Sequence, residues 1–240
     1  MSVYRDMLKK VDAQPDAELG RATVATSPQA SSFMLRELEP LRPDLESLCS
    51  QLEHLTDRLK CITFCGVDTG VGVSSIALTV AMQLAELHPD GVILLDVNSR
   101  SQRASLVEAN ATPDSFFQFH QSQQFEGISQ AGPLHILSAR GNRQALGRIK
   151  AKDLLASLAR LREKYRWVII DAPPANYPES LIWASSSDGT ILVVESNRTR
   201  HFSANAVTEQ LKSLQVNMIG CVLNRRRLVI PEWIYRVLFK

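Results

Sequence analysis

The chemically richest stretch of the chain is Gly66-Val67-Asp68-Thr69-Gly70-Val71-Gly72-Val73-Ser74-Ser75, lying between an apolar run and a segment of helical character. A glycine-rich turn leading into a helix aims backbone N–H groups and the positive end of the helix dipole at an anion. Gly70 and Gly72 supply the tight turn. Ser74 and Ser75 place hydroxyls where a phosphate or Mg²⁺ would sit. Taken alone, such a run is as readily an ordinary strand-to-helix turn. Two acids shift the balance. Asp96 closes VILLD and Asp171 closes WVIID, each at the carboxyl end of a predicted strand, where open parallel sheets bind ligands. One Asp in that position is commonly a helix cap. Two converging on a phosphate loop are what a Mg²⁺ site needs, so Ser74, Asp96 and Asp171 are the candidate metal ligands. Asn224 closes GCVLN with an amide able to hydrogen-bond a purine edge. Gly70, Gly72, Ser74, Ser75 and Asn224 are thus the candidate nucleotide contacts.

These residues need a sheet to position them. Short apolar runs recur at 61–65, 92–96, 134–138, 167–171, 190–195 and 218–224, with helical stretches clearest at 73–88, 151–164 and 203–214. Continuous rather than alternating apolar strands imply a sheet covered on both faces. Strand–helix alternation over some 160 residues implies parallel strands joined by right-handed crossovers. The expected fold is α/β, a doubly wound and mainly parallel sheet with helices on both faces, over residues 61–240. Residues 33–60 read as an amphipathic helical lead-in, with Leu45, Leu48, Leu52, Leu55 and Leu59 on one stripe ending just before the first strand. Residues 1–32 read as a short helix (Val3, Met7, Leu8 and Val11 on one face) followed by a linker too poor in apolar groups to order itself.

Composition excludes several classes of function. Lys+Arg 27 against Asp+Glu 25 leaves +2 over 240 residues, so no strong field points to nucleic acid. No apolar run approaches the length of a membrane span, and the start lacks a signal-peptide pattern, which predicts a cytoplasmic protein. Cys49, Cys61, Cys65 and Cys221 show no metal-ligand spacing. The last three fall in apolar strands and read as inert core thiols.

The run GVDTGVGVSS…VILLDVNSR…WVIIDAPP…VVESNRTR…GCVLNRRR resembles the bacterial tyrosine kinases of capsule and exopolysaccharide systems, a branch of the MinD/ParA-type P-loop ATPases. The likeness covers about residues 61–227. It implies a phosphate loop at 70–75, a second acidic motif at Asp96-Val97-Asn98-Ser99-Arg100 and a Walker B acid at Asp171. The departures are as specific as the matches. Val73 stands where the resemblance implies a phosphate-binding lysine, and Asp68 where the MinD/ParA branch implies its signature lysine. Asn98 replaces the second acid of a DxD pattern. Only Tyr235 stands where a tyrosine cluster is implied. A lysine–phosphate hydrogen bond is worth roughly 1.5–3 kcal/mol, and one missing donor to transition-state charge typically costs about 10²–10³ in rate. Catalysis is therefore expected to be lost, with Asp96 and Asp171 vestigial and ATP or ADP with Mg²⁺ bound weakly or not at all.

By the same resemblance, the chain is expected to act beside an inner-membrane polysaccharide co-polymerase or chain-length regulator, peripheral to the membrane through that partner and able to form a homo-oligomer. Two other readings stay open: an active ATPase or tyrosine kinase with an unusual loop, and a MinD/ParA-type spatial-positioning protein. The basic, aromatic end (Arg225, Arg226, Arg227, then Ile230, Trp233, Ile234, Val237 and Leu238) is either a terminal helix packed on its own domain or a surface for a membrane partner.

Overall fold

The computed structural model describes residues 41–55, 58–98, 114–125, 128–140 and 148–225. The expected segments 1–32 and 226–240, and Ser99 and Arg100 of the second acidic motif, lie outside the described residues. Seven strands form one sheet: β1 (Cys61–Gly66), β2 (Val92–Asp96), β3 (Ser129–Ala131), β4 (Leu134–Ser138), β5 (Trp167–Asp171), β6 (Gly189–Glu195) and β7 (Met218–Asn224). Their order is β3-β4-β2-β5-β1-β6-β7. Every pairing is parallel except β3 with β4. The doubly wound α/β expectation therefore holds.

Helices cover both faces because successive strand residues point to opposite sides. Ile62 and Phe64 of β1 join a core formed with α1 (Arg42–Glu53) and α2 (Val73–Leu87). Cys61 and Cys65 join the opposite core, with α3 (Ser115–Ser122), α4 (Ala151–Lys164), α5 (Pro178–Ser186) and α6 (His201–Ser213). Helix α2 buries Val73, Ile76, Ala77, Val80, Ala81, Leu84 and Ala85, spaced by threes and fours, against the sheet.

Three differences from expectation have local causes. The lead-in helix stops at Glu53 rather than running to β1. Glu53 is tied there by Trp167 and His88, the chain turns through Leu55, and Leu59 is buried separately. Strand β3 and helices α3 and α5 escape a periodicity search because they are short and rich in Ser and Gln. Cys221 is exposed rather than buried, since β7 lies at the sheet edge. Cys49, Cys61 and Cys65 are buried, and burial pushes each thiol up to about 12, as inert core thiols require.

Candidate functional site

Parallel register brings the candidate residues to one edge. Asp96 of β2 pairs with Asp171 of β5 and with Ser138 of β4, so the two acids end adjacent strands at the same level. The ladder continues just past the strand ends, with Val97 N–H donating to Asp171 O at 3.1 Å and Ala139 N–H donating to Asp96 O at 2.9 Å. These bonds fix the edge before any side chain acts.

The loop between β1 and α2 arches over that edge. Gly70 has φ +76° and Gly72 φ +97°, the left-handed region in which a side chain is strained. A Cβ on Gly72 would also fall 2.2 Å from Asn224 Nδ2, so two independent constraints require glycine there. Gly72 is the N-cap of α2 and offers no side-chain cap, leaving the first N–H groups of the helix to other acceptors. Asn224 reaches the loop from the end of β7. Its Nδ2 donates to Val71 O at 2.7 Å and its Oδ1 accepts from Arg225 N–H at 2.8 Å. The amide proposed for a purine edge thus braces the loop through its Nδ2, while its Oδ1 is taken by the neighbouring backbone.

Beneath the loop, Ser74 and Asp171 meet. The Ser74 hydroxyl hydrogen-bonds the Asp171 carboxylate. Asn98 Nδ2 lies 3.3 Å from Asp171 Oδ1 and 3.4 Å from Ser74 Oγ. Asp96 is paired with Arg140, which follows β4 by two residues. Ser75 is half-buried at the next helical position. Asp96, Asn98 and Asp171 are 1%, 6% and 3% exposed. Burial first, and then the neighbouring Asp96 charge, push Asp171 up to about 7, against the opposing pull of Ser74, Arg140 and Asn98.

The positions of the two expected lysines behave differently. Val73 is 5% exposed and belongs to the apolar core under α2. Asp68 is half-buried within the loop. A cation reaches the loop from elsewhere: Arg198 Nη1 lies 3.5 Å from where a Cβ on Gly70 would be. Glu195 holds that arginine at 3.0 Å and Arg225 at 2.9 Å. The hydrogen bonds and charges of both arginines, Arg225 foremost, keep Glu195 below its ordinary range.

Sequence reading names Ser74, Asp96 and Asp171 as candidate ligands, residues that the fold places side by side. It misses Arg140, whose only signal is a basic residue just past the strand LHILS. It also treats Asn98 only as a lost acid, whereas its amide N–H faces Asp171.

Whether a Mg²⁺ ion fits can be judged from these contacts. A divalent cation needs oxygen lone pairs turned toward it. Here amide N–H groups approach Asp171 and Ser74, and a guanidinium takes Asp96. As arranged, the residues do not fit the ion. The uncapped α2 terminus with Gly70, Gly72 and Arg198 does fit an anion.

No protein-family profile matches the chain, and no curated protein sequence matches it. Solved structures do. The VpsO kinase domain is similar at 23% identity and a TM-score of 0.68, over 82% of this chain and 98% of that one. The kinase domain of the Escherichia coli tyrosine kinase ETK is similar at 16% identity and a TM-score of 0.59, over 96% and 91%. The MinD cell division protein of Aquifex aeolicus is similar at 17% identity and a TM-score of 0.58, over 74% and 73%. The chain thus has the fold shared by bacterial tyrosine kinase domains and MinD/ParA-type ATPases.

Proposed function

We propose that the protein is a non-catalytic, kinase-like regulator of exopolysaccharide or capsule synthesis or export, acting at the cytoplasmic side of the inner membrane beside a chain-length regulator. The observation that carries the loss of catalysis is Val73. At 5% exposure its side chain packs into the α2 core, so the residue in the lysine position offers a transferring phosphoryl group no charge. The polysaccharide setting rests on the resemblance to tyrosine kinases and on the shared fold. Among the described residues no helix is long and apolar enough to cross a membrane, so attachment through a partner supplies the location.

Purified protein given ATP and Mg²⁺ is expected to release phosphate and form phosphotyrosine only at background level. Turnover that disappears in Asp171→Ala would overturn the reading. In cells, recovery with membranes is expected only when the polysaccharide machinery is present. One observation favours an active alternative: Arg198 at Gly70 is a cation positioned to replace the lysine. Arg198→Ala separates the two, because it abolishes turnover in the active case and leaves the background rate unchanged otherwise.

A further inference from the structure

We propose that Asn98 and Arg140 are a built-in replacement for a divalent cation, so that the acidic end of this site assembles without metal and takes none up. The inference concerns the site just described, but its truth does not depend on whether that site turns over ATP.

Two carboxylates at the same level of adjacent strands, both buried, repel each other and need compensating positive charge or donors. In this chain protein groups supply both. Arg140, its side chain 9% exposed, puts a guanidinium on Asp96 Oδ2. Asn98 puts one amide nitrogen within 3.3 Å of Asp171 Oδ1 and 3.4 Å of Ser74 Oγ. The amide turns its N–H side toward Asp171, whose carboxyl oxygen accepts it. The consequence is visible on the other side of the group, where Asn98 Oδ1 is buried with no hydrogen-bond partner among the described residues. The amide therefore gives up its acceptor end while its nitrogen serves Asp171 and Ser74. Mg²⁺ demands close, near-octahedral oxygen contacts. To enter, it would have to displace the amide from both Asp171 and Ser74 against the repulsion of the Arg140 guanidinium. A carboxylate at position 98 would remove the donor and add a third negative charge. Residue 98 therefore decides whether the site needs metal.

The test uses the full chain, wild type and Asn98→Asp, titrated with Mn²⁺ followed by electron paramagnetic resonance. Thermal unfolding in EDTA and in millimolar MgCl₂ runs in parallel. Wild type is expected to bind no Mn²⁺ at sub-millimolar concentrations and to unfold at the same temperature in both buffers. Asn98→Asp is expected to unfold earlier in EDTA, to recover with Mg²⁺, and to bind Mn²⁺ roughly tenfold or more tighter than wild type. If Asn98→Asp does not fold, Arg140→Gln carries the comparison, with a Mg²⁺-dependent rise in unfolding temperature expected. One equivalent of Mn²⁺ bound by wild type overturns the proposal. So does the absence of any metal response in every variant that folds, since other groups would then be excluding the ion. Metal binding without turnover would leave the non-catalytic reading standing, whereas turnover in EDTA would break that reading and leave this one.

Discussion

Glu53 and Asp171 are acids at opposite ends of the same sheet, and the fold treats them in opposite ways. Glu53 ends α1 near the start of β5. Trp167 Nε1 donates to it at 2.7 Å, His88 Nε2 at 2.9 Å and Arg166 Nη2 at 3.4 Å. Partial burial alone would raise its pKa. The hydrogen bonds from His88 and Trp167, with the charges of His88 and Arg166, outweigh that and hold it below its ordinary range. Asp171 also has hydrogen-bond partners, yet burial and the Asp96 charge win and its pKa rises. The first carboxylate helps hold α1 and α2 to the sheet. The second is kept despite an electrostatic penalty. Acids retained under strain at a strand's carboxyl end are a signature of a present or former functional site.

The contrast is broken most forcibly at Arg140. Asp96 is almost fully buried, and truncating one partner of a buried ion pair costs about 3–5 kcal/mol. Arg140→Ala should lower the urea midpoint accordingly. A loss of only about 0–1 kcal/mol, typical of a surface pair, would show that Asp96 does not depend on the guanidinium.

At the other end, Glu53→Gln should cost about 1–3 kcal/mol through weakened charge-assisted hydrogen bonds. Its pH dependence has a definite sign. A carboxylate whose folded pKa is depressed contributes stability above its unfolded pKa, about 4.3 for Glu, and loses it as pH falls through the folded value. The gap between wild type and Glu53→Gln should therefore shrink on acidification, measured by urea unfolding along a pH series. A gap that stays constant would remove Glu53's charge from the account.

The smallest effect belongs to Asp171→Asn, and its sign is reversed. Burial and the Asp96 charge push the folded acid up to about 7, from about 3.9 in the unfolded chain. Between those values the unfolded state binds fewer protons, so this group lowers stability as pH rises through the window, and the full penalty stands above it. Asp171→Asn should unfold later than wild type above neutral pH by roughly 1 kcal/mol, because an amide pairs less well with Ser74 and Asn98 and offsets part of the relief. The difference should vanish toward about pH 4. A variant less stable than wild type at high pH would place Asp171 in the same class as Glu53.

What the sequence determined by itself is whatever short-range pattern encodes. Six of the seven strands are apolar runs long enough to read, α4 occupies the residues its periodicity predicts, and α2 and α6 fall within two residues of theirs. The positive-φ glycines and the acids at two strand ends are local chemistry, so Gly70, Gly72, Ser74, Asp96 and Asp171 were legible before any coordinates. Strand β3 was not, because three residues carry no period and pair only because β4 lies beside them. Tertiary structure alone decided what surrounds the acids. The strand order β4-β2-β5 carries Arg140 from 44 residues away onto Asp96. The end of β2 carries the Asn98 amide to an acid 73 residues on. The end of β7 brings Asn224 under a loop 153 residues earlier. Charge compensation depends on distance in space, and a one-dimensional pattern does not contain that distance.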